Sequence, residues 1–121
     1  MIKLADFGLA RASGIPVKNY TNEVVTLWYR PPDVLLGNQN YNSKIDIWSI
    51  GCIMAELVNN KPLFTGKNEE DQMRKIFNKM GAPDEDIWPE LVDYADFKKI
   101  SFEDTDPVSI GEICPRLDEA G

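Results

Sequence analysis

Asp6 is the first side chain in this sequence with the means to do chemistry, and Gly8 lies two residues beyond it. A carboxylate is a hard oxygen ligand of the kind that holds Mg²⁺. An aspartate before glycine is also an ordinary turn, so the residues downstream decide between the two. They are Thr21, the run Val24-Val25-Thr26-Leu27-Trp28-Tyr29-Arg30, and Pro31-Pro32-Asp33. The chain contains no histidine, which removes the commonest general base and metal ligand. Cys52 and Cys114 are far apart and lack metal-ligand spacing. They read as reduced thiols of a cytoplasmic or nuclear protein.

The elements that must position these residues are mainly helical. Ile2-Lys3-Leu4 alternates apolar and polar, as a short strand does, and leads into a turn, so residues 1–8 are expected to form a strand and turn. Residues 8–30 show no helical period and hold Gly14 and Pro16. Loops of that length are uncommon unless they carry function. Pro31-Pro32 opens a short helix, because proline is tolerated in a first turn, and Gly37 ends it. The pattern predicts a central helix over 43–58. Its apolar residues, Ile45, Ile47, Trp48, Ile50, Cys52, Ile53, Met54, Leu57 and Val58, lie all round the wheel, which implies burial on most faces. Ser43 with Asp46 makes a capping-box-like start, and Asn59-Asn60 a stop.

A second helix is predicted over 68–80. Met73, Ile76, Phe77 and Met80 recur at i, i+3, i+4 and i+7, giving one apolar face. Glu69, Glu70 and Asp71 suit its positive end, and Lys75 and Lys79 its negative end. Glu70–Arg74 and Asp71–Lys75 have favourable i, i+4 spacing. Gly81 and Pro83 terminate it. Residues 82–121 read as a loop-rich tail with one helical turn near 84–88.

The length of 121 residues suits one domain, and 43% apolar content is ordinary for a globular chain. The net charge of −7 is unevenly placed. Residues 1–30 hold four bases (Lys3, Arg11, Lys18, Arg30) against two acids (Asp6, Glu23), a start that tolerates a phosphate. Residues 82–121 hold twelve acids against three bases, which repels nucleic acid and anionic membrane surfaces. Neither class of partner is expected. No apolar run is long enough to span a bilayer.

The order of these motifs resembles the protein kinases, and among them the cyclin-dependent, proline-directed serine/threonine kinases. Residues 2–37, 44–66 and 71–88 carry the resemblance. The Pro31-Pro32-Asp33-Val34 form looks most like the five-like branch. The implied fold is a mainly α fragment of the kinase C-terminal lobe: a metal-binding strand and turn (1–8), an activation segment (9–33), a central helix (43–58), an amphipathic helix (68–80) and a group-specific insert region (82–121).

The resemblance also implies roles. Asp6 matches the metal ligand, with Phe7 packing inward to orient it and Gly8 allowing the turn. Thr21 matches the activating phosphorylation site, and Arg11 one arginine of the cluster that binds its phosphate. A phosphate adds about −1.5 to −2 charges and acceptor oxygens that can order a loop. Val24, Val25 and Arg30 match the pocket for a proline immediately after the substrate serine or threonine. There an arginine turns a backbone carbonyl aside, leaving no acceptor for an N–H that proline lacks. Thr26 matches the residue that supports the catalytic loop. Asp33 matches the anchor closing the activation segment, with a shorter arm than the family's glutamate, and is expected to be solvated or repaired locally. Asp46 matches an anchor of the catalytic-loop backbone, though capping is the better expectation here. Ser13 and Pro31 depart from the family's common residues.

The parent activity so implied is transfer of the ATP γ-phosphate to serine or threonine before proline. It uses ATP and Mg²⁺, with a cyclin-type activator, protein substrates and a small kinase-binding adaptor as partners. The 121 residues hold no glycine-rich phosphate loop, strand lysine or His-Arg-Asp loop. The polypeptide alone is therefore expected to be inactive, to bind ATP and Mg²⁺ poorly, and to be poorly stable. The alternative is a non-catalytic lobe that binds partners in competition with a whole kinase through its amphipathic helix and acidic tail.

Overall fold

The computed structural model describes residues 1–8, 10, 26–38, 43–94 and 106–117. Among these the chain is mainly helical and holds no strand. The expected strand at residues 2–4 does not form. Residues 1–8 are all exposed, and among the described residues no neighbouring edge supplies the ladder of hydrogen bonds a strand requires.

A 3-10 turn, Leu27–Tyr29, leads into helix α1, Pro32–Leu35. Pro32 occupies the first helical position, where its missing N–H costs nothing. The end of α1 is closed by two backbone bonds, Gly37 N–H to Val34 O at 3.0 Å and Asn38 N–H to Asp33 O at 3.0 Å. This reverse turn needs a left-handed residue, and Gly37 supplies it with φ of 89°.

Helix α2 spans Lys44–Asn59 and ends on Asn60 in the left-handed conformation, as the Asn59-Asn60 pair predicts. The capping box expected at its start is absent. Ser43 itself adopts a right-handed helical conformation, φ −59° and ψ −10°, and its side chain makes no cap. A capping hydroxyl needs extended backbone to reach the third amide. Asp46 is exposed, and its N–H bonds the Ser43 carbonyl at 3.2 Å instead.

The burial of α2 is also narrower than its composition implies. Ile45, Cys52 and Ala55 are buried, and Trp48 stacks on Phe64 with ring centroids 6.1 Å apart. On another face Ile47, Ile50, Met54 and Leu57 stand exposed.

Helix α3, Glu69–Met80, agrees closely with its sequence signals. The Asn68 side chain accepts from Asp71 N–H at 2.8 Å, and Gly81 with φ of 83° ends the helix. Glu70–Arg74 and Asp71–Lys75 pair at 2.7 and 3.4 Å. Met73, Ile76 and Phe77 are buried, whereas Met80 lies at the rim. Their burial contributes about 1.5–3 kcal/mol each, far more than the surface pairs. They join Leu35, Leu36, Cys52, Phe64 and Leu91 in the main core.

The described part of the tail is more organised than a loop-rich reading suggests. Asp84 caps a turn through Ile87 N–H at 2.9 Å, and a 3-10 helix comes next over Pro89–Asp93. Helix α4, Ile110–Ile113, starts with a true capping box between Ser109 and Glu112. It docks on the end of α2, where Asn59 Nδ2 donates to Ile113 O at 2.8 Å. Ala55, Ile113 and Cys114 form a second small core there. Both cysteines are buried and free.

Gly66 packs directly on α3. A methyl group placed there would lie 2.5 Å from Cα and Cβ of Gln72, which is fully buried. Gly66→Ala is therefore expected to destabilise the protein carrying these residues by about 1–3 kcal/mol, read as a lower urea midpoint.

Asp71 is expected to give α3 an acid-sensitive start. The Lys67 N–H, 2.8 Å away, holds its carboxyl below the ordinary value of 3.8, with Lys75 assisting. The stabilisation is present above that ordinary value and is lost as pH falls through the depressed one. Asp71→Asn should flatten the acid limb of stability against pH, measured by helix ellipticity.

Candidate functional site: the segment 26–38 and its anchors

Segment 26–38 is too short in regular structure to hold itself, and side chains on α2 and α3 and a carbonyl of the loop between them hold it. Trp28 Nε1 donates to Gly66 O at 3.0 Å. Tyr29 Oη donates to Glu56 Oε2 at 2.6 Å, while its carbonyl accepts from Ser49 Oγ at 2.9 Å. Arg30 Nη1 pairs with Glu69 Oε1 at 2.9 Å. Consecutive residues thus tie the segment to the interhelical loop, to α2 and to the first residue of α3.

The electrostatics agree with that arrangement. Accepting the phenol proton suits a carboxylate, and the Glu56 bond, with burial, pushes the Tyr29 hydroxyl above its ordinary 10.0. The Arg30 side chain is 10% exposed, and Glu69 places an opposite charge beside it. Asp33 is half-buried, and its Oδ2 accepts from Asn38 Nδ2 at 3.4 Å, a local partner of the kind expected for it. Thr26 is exposed and its carbonyl accepts from Tyr29 N–H at 2.9 Å. The buried Cys52 thiol is pushed up to about 11, which keeps it protonated and unreactive.

Asp6 stands apart from this cluster. It has a left-handed φ of 59°, and its Oδ1 accepts from Gly8 N–H at 3.4 Å. Phe7 is 69% exposed, so the inward packing expected of it does not occur. Residues 1–8 are exposed throughout and offer its ring no apolar cover. Arg11, Thr21, Val24 and Val25 lie outside the described residues.

Among the described residues no three carboxylate, cysteine or histidine side chains converge to hold a metal ion. One exposed carboxylate already bonded to its own turn is not a Mg²⁺ site, which requires a near-octahedral oxygen shell. The described residues therefore do not fit the metal by themselves. An open depression of about 340 Å³, lined by Leu63, Thr65, Lys75, Asn78, Lys79 and Val108, involves neither Asp6 nor segment 26–38.

The anchors Glu56, Ser49 and Glu69 are not legible as such in the sequence. Each is polar on a helix and reads as solvated surface until the segment is laid against it. The Ser109 and Glu112 capping box does have a signal, Ser-x-x-Glu before an apolar residue.

Comparison with known families matches residues 1–106 to the protein kinase domain. That is most of the chain, and the chain belongs to the protein kinase family. Members of this family are phosphotransferases that generally use ATP and Mg²⁺. No helix among the described residues is long and apolar enough to cross a membrane.

Tyr29→Phe keeps the ring and removes the bond to Glu56. We expect a loss of about 1 kcal/mol in stability, by urea titration. In the parent protein Tyr29 should ionise after solvent-exposed tyrosines in an absorbance titration. Its contribution to stability is present below pH 10.0 and falls as pH rises toward the raised value.

Proposed function

We propose that these residues are part of a cyclin-dependent serine/threonine kinase that phosphorylates serine or threonine preceding proline. In that reaction the substrate hydroxyl oxygen bonds the γ-phosphorus of ATP, ADP leaves, and the hydroxyl proton is released. The observation that carries the reading is the Val24–Arg30 run ending in an arginine whose side chain is nearly buried beside Glu69. A cation held at that place supports the proline-pocket role that the resemblance gives Arg30. The same resemblance gives Val24 and Val25 the rest of the pocket, Thr21 the activating phosphate and Arg11 a share in binding it. It gives Asp6 the Mg²⁺ in the parent enzyme, a cyclin-type subunit as activator, and cytoplasm or nucleus as the place of action.

The 121-residue polypeptide by itself is inactive on this reading. Positioning and electrostatics supply most of the acceleration in phosphoryl transfer, and an exposed Asp6 provides neither. A second reading, a non-catalytic lobe that binds partners, is favoured by the exposed stripe of Ile47, Ile50, Met54 and Leu57 on α2.

The test compares two proteins. The complete kinase carrying these residues, with a cyclin-type activator, should phosphorylate a Ser-Pro peptide well above its Ser-Ala counterpart. Thr21→Ala should lower that activity. The 121-residue polypeptide should transfer no phosphate and bind ATP with Mg²⁺ no more tightly than millimolar. Equal use of both peptides by the complete kinase refutes the proline-directed reading. Phosphate transfer by the short polypeptide refutes its inactivity.

A further inference from the structure

We propose that Glu69 is a positioning residue for substrate specificity: it fixes the Arg30 guanidinium and thereby sets the preference for proline after the phosphorylated residue. The inference rests on the proline-directed reading above and adds a residue on a separate element to it.

The asymmetry of the pair carries the argument. Arg30 lies at the end of a 3-10 turn, and its side chain is 10% exposed. Glu69 is 62% exposed, so its bulk fills no core. What it supplies is a charge 2.9 Å from Nη1. A nearly buried guanidinium needs anions or acceptors around it, and a carboxylate 2.9 Å from Nη1 contributes to its orientation. The guanidinium is a planar fork, so fixing Nη1 constrains the direction of its other donors.

Glu69 is well placed to impose that direction. It is the first residue of a 12-residue helix held in the core through Met73, Ile76 and Phe77. Its backbone is held by a rigid element. Its negative charge also sits at the positive end of the helix dipole, a favourable placement. Two neighbours strengthen the connection. Trp28 bonds Gly66 O, and Gly66 N–H bonds Gln72 Oε1 at 2.6 Å. The Arg30 backbone is thereby kept at a set distance from the start of α3. Glu70, one residue on, turns away and pairs with Arg74. Specificity at the substrate pocket is on this account set partly by α3, and a shift of α3 alters proline preference without touching the substrate.

The experiment uses the complete kinase with its activating subunit and two peptides differing only in proline or alanine after the serine. The ratio of their kcat/KM values is the readout. Glu69→Ala is expected to lower the ratio by about fivefold, through a higher KM for the proline peptide. Glu69→Asp, which keeps the charge, is expected to recover part of it. Glu70→Gln removes the neighbouring surface pair and is expected to leave the ratio unchanged. Should Glu69→Ala fail to fold, as judged by circular dichroism, Glu69→Gln gives the same readout with the side-chain volume kept.

If the wild-type kinase prefers proline and both Glu69 variants keep the wild-type ratio, the role of Glu69 is overturned and the proline-directed reading stands. An equal fall in Glu70→Gln also overturns it, since that marks general loosening of α3. If the wild type itself shows no preference, the proline-directed reading fails and the role of Glu69 fails with it.

Discussion

Segment 26–38 stays in place because it is wedged beside α3 and the loop preceding it. Its own helical content is one 3-10 turn and a four-residue helix, far below the length at which a helix is stable alone. Leu35 and Leu36 therefore matter more than any local bond, since they enter the core that holds Met73, Ile76 and Phe77. Burial supplies most of the free energy, and the polar anchors choose the register. Trp28, Tyr29 and Arg30 could slide by a residue at little cost in apolar area. They could not do so and still meet Gly66, Glu56 and Glu69 together.

The same constraint explains why one half of α2 is ordinary and the other is bare. The stripe of Trp48, Cys52 and Ala55 meets Phe64, the segment and the tail. The stripe of Ile47, Ile50, Met54 and Leu57 meets solvent. An exposed apolar stripe this continuous is costly in water. The polar residues of α2 show which side organises the segment. Ser49 and Glu56 both reach toward Tyr29, so the helix positions the segment as well as filling the core.

Legibility in the sequence depends on the range of each interaction. Helix α3 is readable almost to the residue, because its cap, its face, its i, i+4 pairs and its stop are all local. The stop of α2 at Asn60 is readable for the same reason. Its start is not, because Ser43 and Asp46 have the right spacing, yet the approach of the chain puts Ser43 in helical geometry. Period cannot tell which faces of α2 are covered, since an all-round apolar helix carries no information about its neighbours. The site is legible as an order of motifs, from Asp6 to Asp33. The tertiary anchors of that order are hidden, because a glutamate on a helix looks the same whether it faces water or a tyrosine. Ser109 and Glu112 are the converse case, a local signal that the acidic composition of the tail obscures.

Arg30 joins the two scales of this structure. It ends the most informative run of the sequence, and it alone within that run carries a full positive charge into a nearly dry position. Glu69, on another element, brings a carboxylate to it at 2.9 Å, and the turn at Gly66 leads the chain to that start of α3. Close packing of Gly66 on Gln72 makes that turn tight. A backbone approach with no room for a methyl group thus helps bring Glu69 to Arg30, and with it a charged anchor to segment 26–38.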